Sequence, residues 1–340
     1  MSTLYHLSHT DLDGYGCQFL THYAFSDINY YNANYGPEVL AMLTAIVNSI
    51  KKDAPSDAMI LITDLNLTIK EARWIEEQSQ ELGASLQLLD HHATGQNCAN
   101  RFEWYYLDTS RSATQITYDW LQEHYSFDQD KHFEQTTHVI NAVDIWLSDH
   151  QYFELGKVCL GMISSARELS RVMFDGDDRK YKLYLIEQIA QYLHQDDAHI
   201  HLDEAMHQIK KRFFKKDHND TKDNLVASYV VDLIGQQRER FTIHYKNKKG
   251  VLVYSVGSAS IIGNRFLMEN EDYDFYMDIG GRGNFSMRSS DRANVSQMAQ
   301  EIGNGGGHPN ASGGKIENFK NSFIYEDIKR LVINHIKSLE

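Results

Sequence analysis

Histidine or aspartate closes an apolar run at three points in the first hundred residues. His9-Thr10-Asp11-Leu12-Asp13-Gly14 follows the apolar run 4–8, Asp64 follows the run 58–63, and Asp90-His91-His92 closes the run 84–90. Grouped imidazoles and carboxylates share one chemistry, the ligation of a divalent cation through nitrogen and oxygen. Each run is β-prone, so each reads as a strand whose C-terminal end carries a ligand-type residue. In an open α/β sheet the carboxyl ends of strands are where side chains converge on a ligand, and the spacing predicts one shared metal site. A single Asp or His after a strand is ordinarily a helix cap or a solvated loop residue. A chain with 17 histidines also holds His-His pairs by chance. Three such segments in succession exceed what capping explains.

The elements that must position these residues alternate. Residues 15–25 and 38–52 have helical spacing, Pro37 suits the first turn of the second helix, and Thr68 with Glu71 has the form of a capping box that opens a third, ended by Gly83. Strand, helix, strand, helix, strand predicts a parallel sheet with crossover helices. Further on, residues 115–125 read as a helix capped by Ser110 or Ser112, with phosphate binding at its N-terminus as the lesser alternative. Residues 132–147 read as helical, with Val139, Ile140, Val143 and Trp146 on the apolar face; Asp144 lies beside that face, where a carboxylate needs a partner such as a metal. Residues 153–216 are helical and highly charged. Their His194, His199, His201 and His207 fit a solvated face, as does the basic run 210–216, which is otherwise a nucleotide contact.

After residue 223 the texture changes to strands at 225–234, 239–245, 250–256, 273–279 and 283–288, with helices at 261–268 and 295–302. Gly303-Asn304-Gly305-Gly306-Gly307-His308-Pro309-Asn310-Ala311-Ser312-Gly313-Gly314 follows. Successive glycines let backbone N–H groups approach an anion closely, with His308 and Ser312 adding donors, so an anion-binding nest is expected. The expected organisation is α/β: a parallel-sheet domain over 1–150, a helical connector over 151–222, and a smaller α/β domain over 223–340.

Composition narrows the partner. The 340 residues carry a formal net charge of −14, which opposes the basic face that holds long nucleic acid by counterion release and favours short substrates. No apolar run is long enough to span a bilayer and no signal core stands at the start, so a cytoplasmic protein without a membrane partner is expected. Cys17, Cys98 and Cys159 are odd in number and widely spaced, which indicates neither a disulfide framework nor a thiolate site.

These motifs together resemble the DHH phosphoesterase superfamily, in the subgroup with a C-terminal DHHA1 domain. His9 to Gly14, Asp64, Asp90-His91-His92, Asp144 and Gly305 to Gly314 stand in that family's order, and the resemblance covers essentially the whole chain. The chain is most similar to the bacterial nano-RNases, which degrade very short RNA. The resemblance implies two divalent cations, Mn²⁺ first with Mg²⁺, Co²⁺ or Zn²⁺ as alternatives, one held by His9, Asp11 and Asp64 and the other by Asp13, Asp64, His91 and Asp144. It implies a nucleophilic hydroxide shared by the two ions, His92 facing the substrate, and Asp90 orienting its neighbours. It places Arg288, Gly306, Gly307, His308 and Ser312 on a terminal phosphate across a cleft between the domains, with Arg265 and Arg292 as weaker candidates. The implied activity is hydrolysis of short linear oligoribonucleotides, dinucleotides such as pGpG above all, to 5′-mononucleotides. Alternatives are dephosphorylation of 3′-phosphoadenosine 5′-phosphate, cleavage of cyclic dinucleotides, and a metal-loaded nucleotide sensor without catalysis. A homodimer is compatible with the family.

Overall fold

A computed structural model describes residues 2–125, 127 and 131–339. The chain divides into two compact units, Met1–Ser165 with Lys180–Met206, and Ala166–Arg179 with His207–Glu340. The helical stretch expected as a separate connector is thus shared between the two.

The first unit begins β1 (Thr3–Ser8), α1 (Leu12–Ala24), β2 (Ile28–Asn32), α2 (Pro37–Asp53), β3 (Ala58–Thr63), α3 (Ile69–Leu82) and β4 (Ser85–Asp90). It continues through α4 (Gln96–Ala99), β5 (Tyr105–Leu107), α5 (Ala113–Tyr125), α6 (Lys131–Asp144) and α7 (Phe153–Ser164), after which come α8 (Asp175–Gln188) and α9 (Ala198–Phe214). The five strands form one parallel sheet in the order β2-β1-β3-β4-β5. A parallel sheet is covered on both faces, which is why β3, AMILIT, is buried at every position. Ile60, Ile62 and Leu88 pack with Leu43, Ile46 and Ile75 on one face, and Leu61, Leu89 and Ile116 pack together in a separate cluster. Each fully buried aliphatic contributes about 1.5–3 kcal/mol.

Register makes the site possible. Ser8 pairs with Thr63 and Thr63 with Leu89, so His9, Asp64 and Asp90 leave the sheet at one level. The capping box of α3 forms as its sequence indicates, Thr68 and Glu71 exchanging bonds, and Gly83 closes the helix with φ 64°. Ser112 Oγ accepts from Gln115 N at the start of α5. The edge strands β2 and β5 were not legible: INYYN has too much polarity for a buried strand, and YYL is too short.

The second unit comprises α10 (Lys222–Gln236), α11 (Arg238–Phe241), β6 (Thr242–Tyr245), β7 (Lys248–Tyr254), α12 (Ala259–Glu269), β8 (Phe275–Ile279), β9 (Asn284–Arg288), α13 (Val295–Gly303), β10 (Gly306–His308), β11 (Ala311–Lys315) and α14 (Tyr325–Lys337). Its six strands form a mixed sheet, β10-β11-β9-β8-β7-β6. Two expectations are corrected here. Residues 225–234 are not a strand but the middle of α10, capped by Thr221, whose hydroxyl accepts from Asn224 N; a run of β-branched residues is ambiguous, and a buried helix shows apolar residues on nearly every side. Residues 239–245 are strand only from Thr242, the first half being the turn α11.

Asp278 on β8 is a buried carboxyl whose Oδ1 has no hydrogen-bond partner. Burial pushes it from its ordinary 3.8 up to about 7, against the backbone N–H groups of Val256 and Ser255 that favour the anion. Because the folded pKa is raised, the associated stability is full below about pH 4 and is lost as pH rises to about 7. Asp278→Asn should therefore gain on the wild type by ~1.4 kcal/mol per pH unit across that window and no further above it. Urea unfolding at about pH 5 and about pH 8 checks this; a difference that ignores pH removes the explanation.

Candidate metal centre and active site

Asp11 caps α1, its carboxylate accepting from Gly14 N at 3.0 Å. The cap does not remove Asp11 from the cluster, since its other oxygen, Oδ2, lies 2.8 Å from His9 Nδ1. Gly14 is required there: a Cβ would lie 2.4 Å from the His9 carbonyl oxygen. Asp64 takes a left-handed backbone, φ 56°, its N–H bonded to the Leu89 carbonyl at 3.1 Å. Aspartate tolerates that conformation better than most residues, and the strain sits at the ligand itself.

Three groups of ligand atoms result, each within 4.8 Å: His9, Asp11 and Asp64; Asp13, His91 and Asp144; and Asp64, His91 and His92. His9 Nδ1 lies 2.8 Å from Asp11 Oδ2 and 3.6 Å from Asp64 Oδ2. His91 Nε2 lies 3.3 Å from Asp64, 3.5 Å from Asp144 and 3.7 Å from Asp13. All six residues expected as ligands meet here, with Asp64 shared between groups.

The electrostatics show what the cluster lacks. Burial, then the carboxylates of Asp11 and Asp13, raise Asp64 well above the usual range. Burial, then Asp13 and Asp64, push Asp144 up to about 9. Burial likewise raises Asp13, although His91 opposes it. Burial works against the Asp11 anion too, but His9 and the Gly14 N–H outweigh it and hold Asp11 at about 2. His9 is held up at about 10, Asp11 and Asp64 overcoming the burial that would depress it. Asp64 Oδ2 is buried without a hydrogen-bond partner. Crowded carboxylates with an unsatisfied oxygen beside imidazole nitrogens are a poor arrangement for a protein alone and a good one for a divalent cation. The donor set, oxygen and nitrogen without thiolate, fits such an ion.

Around this centre lies a layer of orienting contacts. Asp90 Oδ1 is 2.7 Å from His92 Nδ1, and Tyr105 donates to Asp90 Oδ2 at 2.8 Å. Asp13 does double duty: its two oxygens accept from Ala113 N at 2.7 Å and Thr114 N at 2.8 Å. The N-terminus of α5, considered above for phosphate, is therefore already occupied by a carboxylate.

Tyr35 was missed by the sequence reading. Its hydroxyl is 2.8 Å from His92 Nε2 and 3.4 Å from the Asp64 carbonyl oxygen, and its ring centroid is 4.7 Å from that of His9. It follows β2, so recognising INYYN as a strand would have nominated its C-terminal end as a fourth contributor.

In the second unit the expected phosphate-binding residues fall into two kinds. Gly306, Gly307 and His308 are exposed on β10, and Arg288 closes β9, its guanidinium donating to Ser260 Oγ at 2.6 Å and the Met287 carbonyl at 2.7 Å. Ser312, by contrast, is buried and donates to the Val295 carbonyl at 2.6 Å, so its hydroxyl proton is committed. The glycine stretch is a β-hairpin rather than a nest: Gly306 pairs with Gly313 and Gly307 with Ser312. A Cβ on Gly305 would meet the Gly313 carbonyl at 2.0 Å. The close approach that glycine permits here is between backbones. Arg265 pairs with Glu269 and Arg292 donates to the Leu267 carbonyl at 2.6 Å. Lys210, expected at the surface, is buried 3.7 Å from Glu168. Among the described residues no helix is long and apolar enough to cross a membrane, and all three cysteines are buried free thiols.

Comparison with known proteins agrees with this geometry. A family profile described as the DHHA1 domain matches residues 249–338. A Helicobacter pylori protein named 3′,5′-cyclic-nucleotide phosphodiesterase is 42% identical over 341 residues, 98% of each chain. The Bacillus subtilis oligoribonuclease NrnB is 24% identical over 326 residues, covering 92% of this chain and 73% of that one. The crystal structure of an uncharacterized protein from Helicobacter pylori G27 superposes with a TM-score of 0.93 at 41% identity, over 99% of this chain and 100% of that one. With the ligand cluster at the aligned strand ends and full-length relatives of this kind, the chain belongs to the DHH/DHHA1 phosphoesterase superfamily, beside its nano-RNase-like members, and is a metal-dependent phosphodiesterase of that family.

Proposed function

We propose that this protein hydrolyses the 3′,5′-phosphodiester bond of short linear oligoribonucleotides, dinucleotides such as pGpG first, releasing 5′-mononucleotides. The observation that carries the reading is the sharing of Asp64 and His91 among three adjoining ligand groups, the layout expected of a site for two cations around one phosphoryl group. In this reading His9, Asp11 and Asp64 hold one divalent ion and Asp13, Asp64, His91 and Asp144 the other, Mn²⁺ before Mg²⁺, Co²⁺ or Zn²⁺. Such ions, when bound, neutralise a phosphoryl group and acidify water for in-line attack.

The chain's own residues supply orientation. Asp90 fixes the His92 ring through Nδ1, which leaves Nε2 to the Tyr35 hydroxyl at 2.8 Å. His92 and Tyr35 stand together beside the cluster, and a phosphate oxygen that displaces the contact between them would free the Tyr35 hydroxyl to donate to it and steady the charge that develops there. Arg288 and His308 are the second unit's phosphate-binding groups, while Ser312 acts by holding the hairpin to Val295.

A second reading has its own support. The relative that is 42% identical is named a 3′,5′-cyclic-nucleotide phosphodiesterase, and a 3′,5′-cyclic mononucleotide contains the same linkage closed on one ribose. Turnover with Mn²⁺ of pGpG, pApA, 3′,5′-cyclic AMP, cyclic di-AMP, 3′-phosphoadenosine 5′-phosphate and a longer RNA separates the two. Fast conversion of the linear dinucleotides establishes the first reading. Preference for cyclic AMP establishes the second, and equal turnover of dinucleotides and long RNA removes the short-substrate argument.

A further inference from the structure

Trp146 follows Asp144 by two residues and is 63% exposed. Its backbone is strained. The end of α6 closes with Trp146 N donating to the Val143 carbonyl at 3.3 Å and Leu147 N to the Ala142 carbonyl at 2.8 Å, with Trp146 in the left-handed region at φ 57°. That is the position where a helix ordinarily places glycine, because any Cβ is disfavoured there. The sequence instead places its largest side chain at this point and leaves it in solvent. The expectation that Trp146 lies on the apolar face of the helix is thereby corrected.

The indole is nonetheless held. It meets the Phe153 ring at 5.0 Å between centroids and 86° between planes, a perpendicular contact that fixes a ring plane. Two residues of chain reach at most about 7 Å, so Trp146 stands beside Asp144, whose carboxylate is 3.5 Å from His91 Nε2. A nucleotide whose phosphate lies on that cluster carries its base one ribose away. An exposed aromatic face, held by Phe153 two residues along the chain from Asp144, is what a nucleobase stacks on, and such stacking accepts any base.

We propose that Trp146 is a stacking platform for a nucleobase of the bound nucleotide. The proposal rests on the nucleotide reading of the site and names a residue that sets affinity rather than chemistry. It explains why a helix end favouring glycine carries tryptophan.

Two arms test it. With Mn²⁺ present, AMP should quench the intrinsic fluorescence saturably and ribose 5-phosphate, which lacks the base, should not; Trp146→Phe should remove the quench, the other three tryptophans being retained. In the second arm, Trp146→Gly should raise KM for pApA about tenfold (~1.4 kcal/mol) with kcat nearly unchanged. Its melting temperature should equal or exceed the wild type's, since glycine suits the left-handed position. A quench that persists in Trp146→Phe, or a Trp146→Gly enzyme with wild-type KM, overturns the proposal while leaving the phosphodiesterase reading intact. If the wild type turns over no nucleotide, that reading fails, and the base-dependent quench alone decides whether Trp146 stacks.

Discussion

Asp64→Asn is expected to lower kcat for phosphodiester hydrolysis by about 10³-fold and, in the metal-free protein, to raise stability. The two effects have one cause. Asp64 is buried beside Asp11 and Asp13, and burial and those carboxylates lift its pKa well above the usual range. The metal-free fold therefore disfavours its anion, a penalty that a bound cation offsets. A neutral isostere carries no such penalty, so in chelator Asp64→Asn should melt higher than the wild type. The sign with pH follows. A carboxyl raised in the folded state contributes stability that is full below the ordinary carboxylate pKa and is lost as pH climbs toward the raised folded one. The variant's advantage should widen from about pH 5 to about pH 8. On the proposed metal reading, added Mn²⁺ should reverse the ranking, since an ion that binds only the folded wild type stabilises it by mass action. Thermal melts with chelator and with Mn²⁺ measure this. A metal-free Asp64→Asn protein less stable than the wild type would contradict the account of the cluster.

The parts of this site legible in the sequence were those written locally. Strands β1, β3 and β4 show as apolar runs because a parallel sheet buries both faces, and one of the cluster's residues, His9, Asp64 or His91, stands directly after each. Ligand assignment went further than periodicity alone allows, because the order of motifs resembles a known family. What stayed hidden depends on tertiary contact. Tyr35 reaches His92 across 57 positions of sequence, from the end of a strand too polar to recognise. Residues 225–234 carry a β-prone composition inside a helix, where burial overrides propensity. The glycine run showed the need for close approach but not what approaches; the answer is the facing strand of its own hairpin.

Asp13 shows the same limit most sharply, and it carries the second large prediction. Spacing marks it as a ligand, yet nothing local shows that its two oxygens also hold the start of α5, whose Ala113 and Thr114 stand 100 and 101 positions away. Those amides are buried and lie at the positive end of the helix dipole, where a carboxylate is favoured. Asp13→Ala removes both acceptors at once. Hydrogen bonds to a charged partner contribute about 1.5–3 kcal/mol each, and a buried donor left without an acceptor costs its full desolvation. Relief of the crowding among the carboxylates offsets part of this, so a net loss of about 3 kcal/mol is expected with activity abolished. Asp13→Asn, which keeps one acceptor oxygen, should fall between. Two carboxylates of one cluster should thus move stability in opposite directions when neutralised, Asp64 upward and Asp13 downward, and chelator should not erase the Asp13 deficit. Urea unfolding of the three variants in chelator measures it. An Asp13→Ala protein as stable as Asp64→Asn would mean that α5 is anchored elsewhere, through Thr114 Oγ1, which donates to the Asp13 carbonyl at 2.8 Å, and that Asp13 serves the metal alone.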